Sequence, residues 1–266
     1  MIVDLCLSSS DHKKSASVLS QCLAQLKLFG YNAACIETFF TPSPKAVLPP
    51  PSTLSSQQHI SSLYQIQANK TNPSDLKVYS RLTITLESRN FLHFFNSSSP
   101  ALRAYDLVAV RPTSEDTFRL ACSDLEIDVI TLDLHQQLPF YIKIKQVKQA
   151  LSRGIYFEIR YKYFLLDAEN NFNMSRIQFC SNVTQLLNIT KGKNCFFSSG
   201  AQNFLDLRTW HDVANFSSLF SIDPNVGRSM IVQVPFQALQ HAMGRKAERS
   251  VVFHEKIESK ISEMDS

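Results

Sequence analysis

The chain has 266 residues, 44% of them hydrophobic, and a formal net charge of +4, enough length and apolar content for one large core in one domain. No apolar run approaches the roughly eighteen residues that span a bilayer, and the N-terminal apolar run carries Asp4 and no basic leader, which argues against a secretory signal. The six cysteines form no Cys-x-x-Cys pair and mostly sit among apolar residues, which points to small buried hydrophobes in a reducing compartment.

Met1 to Leu7 reads as a buried strand whose one charge, Asp4, points at a barrel interior or mouth. Ser15 to Phe29 repeats its apolar residues at helical spacing and Gly30 stops it. Tyr31 to Thr38 is a second strand. Residues 41–77 break the composition with six prolines among serines and glutamines; this stretch is expected to be a flexible insertion with little core of its own. Val78 to Leu86 is a third strand, followed by short helical stretches over Arg89 to Phe95 and Ser99 to Ala104.

From Asp106 the rhythm is regular: strand Asp106 to Val110, helix Ser114 to Leu125, strand Ile127 to Leu132, helix Lys143 to Arg153, strand Ile155 to Arg160, helix Asn173 to Ile189. The next unit opens on Lys191-Gly192-Lys193-Asn194, runs through a short apolar strand to Ser198-Ser199-Gly200-Ala201, and passes Arg208 to a helix read as capped by Asp212. Short apolar strands alternating with amphipathic helices imply parallel strands covered by helices. Seven or eight units without a nucleotide-binding glycine fingerprint favour a TIM-like (β/α) barrel over an open sheet. One barrel domain over 1–245 and a charged tail over 246–266 are expected.

Charge is uneven. Between Pro139 and Trp210 ten basic residues face four acidic ones, so this segment carries +6 and the remainder −2, a balance suited to a phosphate-rich partner. A metal-dependent barrel phosphoesterase needs converging His, Asp and Glu at the strand C-termini. The candidates are His12, Glu37, Asp133, His135, Glu158 and His211, but no two histidines share a ligand spacing, and Ser8-Ser9-Ser10 stands where a His-x-His pair is wanted. Structural roles fit better: Asp133 accepting backbone N–H bonds at the rim, and Glu158 pairing with Arg160 or a barrel lysine. Ser198 and Ser199 lie outside any nucleophile elbow.

Five blocks resemble, in order and spacing, the thirty-kilodalton protein subunit of nuclear ribonuclease P and RNase MRP. They are Tyr105-Asp106-Leu107-Val108-Ala109-Val110-Arg111-Pro112, Ile127-Asp128-Val129-Ile130-Thr131-Leu132-Asp133, Leu138-Pro139-Phe140-Tyr141, Lys191 to Ala201, and Asp212-Val213-Ala214-Asn215. The likeness covers roughly residues 100 to 220. It implies a TIM-like barrel related to polymerase-and-histidinol-phosphatase phosphoesterases but without their metal ligands, and no cofactor. It further implies a non-catalytic subunit of a nuclear and nucleolar ribonucleoprotein whose large RNA removes the 5′ leader from precursor tRNA. The implied partners are ribonuclease P RNA, RNase MRP RNA and other protein subunits, among them a small α+β companion. The chain departs from the family in the Pro-rich 41–77 stretch and in Val234-Pro235-Phe236-Gln237-Ala238-Leu239, where an arginine of the family's final helix is missing. On this reading Lys191, Lys193 and Arg208 are the principal RNA-phosphate contacts, with Lys143, Lys145, Arg153 and Arg160 secondary.

Overall fold

Parallel neighbours in a sheet can be joined only by a crossover, so a chain that alternates strands with helices lays its strands down side by side in one direction. The computed structural model describes residues 1–8, 15–51, 76–95, 99–165 and 172–246. Seven strands, β1 Val3–Ser8, β2 Ala33–Phe40, β3 Lys77–Leu86, β4 Leu107–Pro112, β5 Val129–Thr131, β6 Tyr156–Arg160 and β7 Cys195–Ser198, lie in chain order, every pair parallel. The circle closes by a parallel bridge between Leu7 and Ala201, with Ser8 N donating to Ala201 O at 2.9 Å and Gly200 N to Cys6 O at 3.0 Å. The fold is therefore the expected TIM-like α/β barrel, with seven strands.

Period-two alternation divides each strand between two environments. Leu82, Ile84, Val108, Val110, Ile130, Phe157, Ile159 and Phe197 face outward and are buried under the helices. The helices of the chain's described residues are α1 Ser15–Leu28, α2 Pro100–Arg103, α3 Glu115–Ser123, α4 Ile144–Ser152, α5 Lys162–Leu165, α6 Phe172–Thr190, α7 Trp210–Phe216, α8 Pro224–Val232 and, apart from this outer layer, α9 Val234–Lys246. Caps set several starts: Ser114 and Thr117 form a reciprocal box on α3, and Asp223 with Pro224 opens α8. Thr209, not Asp212, caps α7: its Oγ1 accepts from Asp212 N at 3.2 Å and donates to Asp212 Oδ2 at 2.7 Å.

The inward set starts apolar. Val3, Leu5, Ala33, Cys35, Leu107, Ala109, Val129, Tyr156 and Phe196 form one cluster with Val234, Ala238, Leu239 and Ala242 of α9, which plugs the N-terminal end of the barrel. Below it, Arg245 Nε donates to both oxygens of the fully buried Asp128, at 3.1 Å each, and anchors that helix. Among the described residues no helix is long and apolar enough to cross a membrane, and all six cysteines are free thiols.

Most of the Pro-rich stretch, 52–75, lies outside the described residues, as do residues 9–14 and 247–266. Its first part runs along the core: Ala46 and Leu48 pack there, and Tyr105 donates its hydroxyl to Pro49 O at 2.9 Å.

The turn into β7 depends on backbone that most residues resist. Lys191, Gly192 and Asn194 have φ of 55°, 75° and 50°, and a Cβ on Gly192 would stand 2.4 Å from Val226 Cγ1 of α8. The Gly192→Ala variant is expected to lose about 2–3 kcal/mol, from overpacking and from the left-handed backbone together. Its urea midpoint should fall with an unchanged slope; an unmoved midpoint would contradict this account of the turn.

Candidate functional site

The upper inward positions carry charge where the lower ones are apolar. Glu37 on β2, Arg81 and Thr83 on β3, Glu158 and Arg160 on β6 and Ser198 on β7 converge at the C-terminal mouth. Arg81 grips Glu158 with both terminal nitrogens, at 2.5 and 2.6 Å, and sends Nη1 to Leu5 O at 2.9 Å and Nε to Thr83 Oγ1 at 3.1 Å. Arg160 bridges the carboxylates, Nε to Glu158 Oε2 at 3.0 Å and Nη2 to Glu37 Oε1 at 2.5 Å. Thr83 Oγ1 donates to Glu37 Oε1 at 2.6 Å and Ser198 Oγ to Glu158 Oε1 at 2.7 Å. Two guanidinium and two carboxylate groups thus balance with their hydrogen bonds largely met, the condition under which buried charge is tolerated. Burial alone would raise both carboxyls. The Arg160 and Arg81 charges, with the hydroxyl donors, overcome it and hold Glu37 and Glu158 below the usual carboxylate range.

Asp4 sits at the seam between β1 and β7. Its Oδ1 accepts from Ser199 N at 3.0 Å and Cys6 N at 3.3 Å, while Oδ2 is buried without a hydrogen-bond partner. The β1–β2 ladder shifts register between Asp4 and Leu7, and the carboxylate takes up the Cys6 N–H there. Burial pushes Asp4 up from 3.8 to about 6. The folded state therefore binds this proton more tightly than the unfolded chain does. Stability from Asp4 is fully present below 3.8 and is lost as pH rises through about 6. The gap corresponds to about 3 kcal/mol. We expect the stability difference between wild type and Asp4→Asn to change by about that amount across this window in pH-resolved denaturation; a difference that is flat with pH would contradict the assignment.

The six candidate metal ligands do not converge. Glu37 and Glu158 are held by arginines. Asp133 is in a close ion pair with Arg111, and His135 stacks on Tyr163 with ring centroids 4.0 Å apart. His211 lies against Trp210 at 3.4 Å, and His12 is outside the described residues. Among the described residues no three His, Cys, Asp or Glu are placed to hold a metal ion.

The basic residues divide between the two ends of the barrel. Lys191 and Lys193 are exposed on the turn before β7, at the N-terminal end. Arg153 lies at that end too, between α4 and β6, with its guanidinium donating to Cys122 O at 3.2 Å and Leu125 O at 2.6 Å. Arg208 follows β7 on the mouth side, Nη1 donating to Leu205 O at 2.7 Å and Leu207 O at 2.8 Å. Lys143 and Lys145 open α4 on the same side and are exposed, Lys143 in a close ion pair with Glu115. Arg160 is turned into the mouth, its side chain 10% exposed.

Sequence reasoning missed Arg81 and Lys162. The signal for Arg81 was parity: it stands an even number of residues from Tyr79, Thr83 and Thr85, while the apolar Leu82, Ile84 and Leu86 take the other face, which places it on the inner face. Lys162 lies two residues beyond the strand end Arg160, yet is only 8% exposed.

Fold and site together define a seven-stranded parallel TIM-like barrel whose mouth is filled by its own guanidinium–carboxylate pairs, with cations at both ends. The family model described as RNase P subunit p30 matches residues 1–247, and the chain belongs to that family. It is 36% identical over 166 residues to the ribonuclease P protein subunit p30 of Mus musculus, covering 62% of this chain and 59% of that protein. It is 30% identical over 169 residues to the ribonuclease P/MRP protein subunit RPP1 of Saccharomyces cerevisiae, covering 64% of this chain and 51% of that one. The chain thus spans little more than half the length of these relatives. A chain in the cryo-EM structure of archaeal ribonuclease P with mature tRNA shares the fold, with a TM-score of 0.62 at 14% identity over 94% of both chains.

Proposed function

We propose that this chain is a non-catalytic protein subunit of ribonuclease P, supporting removal of the 5′ leader from precursor tRNA, and that it also serves RNase MRP in rRNA processing. Membership of the p30 family over residues 1–247 carries the reading. The name of the yeast relative joins the two complexes, and the filled mouth accords with a protein that leaves chemistry to an RNA. Its partners are ribonuclease P RNA, RNase MRP RNA and other protein subunits, including the small α+β companion; its location is the nucleus and nucleolus. Lys191 and Lys193 at one end and Arg208 at the other contact RNA phosphates, with Lys143 and Lys145 secondary. Arg153 and Arg160 serve that surface by holding α3 and the barrel mouth in place, because their donors already meet protein oxygens.

Depleting the protein from cells of its source is expected to make precursor tRNAs with intact 5′ leaders accumulate as mature tRNA falls. Unchanged leader removal after depletion would overturn the proposal, and metal-stimulated phosphodiester hydrolysis by the isolated chain would restore the phosphoesterase alternative.

A further inference from the structure

The mouth holds one cation that the internal pairs leave over. Arg81, Arg160, Glu37 and Glu158 cancel, and Arg111 is matched by Asp133. Lys162 is not matched: although the residue is only 8% exposed, its ammonium makes no hydrogen bond or ion pair with any described residue. Burial depresses its pKa, and the first carboxylate to act on it, Asp206, is already accepting from Gln202 N and Asn203 N, at 3.1 Å each. The stem is therefore buried while the ammonium reaches the solvent of the mouth, where it is open to an anion.

Two more unmet donors lie at or beyond the ends of neighbouring strands of the same rim. Gln136 Nε2 donates to His135 Nε2 at 3.0 Å, which leaves the ring proton on Nδ1, and that atom is buried without a partner. Arg111 Nε is likewise buried and unpaired. His135 feels the charges of both Arg111 and Lys162, which places the three in one neighbourhood on the ends of β4, β5 and β6. Unmet donors and a surplus positive charge at the C-terminal rim of a parallel barrel describe an anion site, and the tetrahedral phosphate group is the anion that accepts from several directions at once.

We propose that the C-terminal mouth of the barrel binds one phosphate group on the Lys162 ammonium, beside the strand ends that carry Arg111 and neutral His135. The occupant is a backbone phosphate of the RNA, a choice that rests on the function proposed above; the site itself does not.

The test uses the full chain. Thermal unfolding is compared in sodium phosphate and in sodium chloride at equal ionic strength, for wild type, Lys162→Arg and Lys162→Met. Phosphate should raise the melting temperature of wild type and Lys162→Arg, and this increment should shrink in Lys162→Met to the general effect of an excluded salt. In chloride, Lys162→Met should melt no lower than wild type, because the ammonium it removes makes no ion pair or hydrogen bond with any described residue. In a second arm, Lys162→Met should flatten the log–log salt dependence of ribonuclease P RNA binding by about one unit. A phosphate increment abolished with an unchanged RNA slope assigns the site to a free phosphate anion, and with no RNA binding at all it keeps the site while sinking the proposed function. Equal phosphate increments in wild type and Lys162→Met, none in wild type, or a Lys162→Met variant that is destabilised or unfolded in chloride, overturn the site.

Discussion

Replacing Glu158 with alanine is expected to remove about 3–5 kcal/mol of folding stability, the cost of stranding a buried charge partner. Glu158 is the shared anion of Arg81 and Arg160, whose side chains are 0% and 10% exposed. Without it, Arg81 keeps only the carbonyl of Leu5, Thr83 Oγ1 and a long approach to Glu37 at 3.8 Å. The cost comes from what is left behind, so a double variant, Arg81→Met with Glu158→Leu, should recover much of it. Acid acts on the same group. Glu158 and Glu37 are held below their ordinary 4.5 in the folded protein, so their contribution is fully present above that value and is lost as pH falls toward their native values. Urea denaturation of the single and double variants decides the matter; a loss below about 1 kcal/mol for Glu158→Ala would mean that the network is not the keystone of the mouth.

Alanine at Lys191, Lys193 and Arg208 together is expected to flatten the log–log salt dependence of ribonuclease P RNA binding by about two to three units, one for each phosphate no longer neutralised. The first two are exposed before β7 and the third lies beyond it, across a strand of four residues. Only a folded RNA large enough to embrace the barrel reaches both ends, so the lysine pair and Arg208 should contribute independently. Lys143→Ala should change the slope less, because Glu115 already engages that ammonium. An unchanged slope and affinity in the triple variant would move the RNA surface elsewhere on the barrel.

The barrel was legible because the features that specify it are local. Apolar strands, amphipathic helices and glycine stops place the strands of 77–86, 107–112, 129–131, 156–160 and 195–198 within a residue or two of their positions. The helix Pro224–Val232 went unread although Asp223-Pro224 is a start signal, because its Val226, Met230 and Ile231 were too few to announce a face. The mouth was half legible. Asp4 was visibly a charge inside a strand, and Glu158 was already matched with Arg160. The grip of Arg81 on Glu158 joins residues 77 positions apart, and only closure of the barrel brings β3 and β6 across from one another. The basic surface was the least legible part, since a count of charges does not distinguish Lys193 in solvent from Arg153 tied to backbone carbonyls.

The central claim is that this barrel works as an RNA-bound subunit and not as an enzyme in its own right. Its most direct test is to purify the tagged full chain from cells of its source and sequence the RNA that comes with it. The account predicts strong enrichment of ribonuclease P RNA, with RNase MRP RNA beside it, and cleavage of precursor tRNA 5′ leaders by the purified material. Recovery of the intact protein with neither RNA enriched above a tag-only control would contradict it.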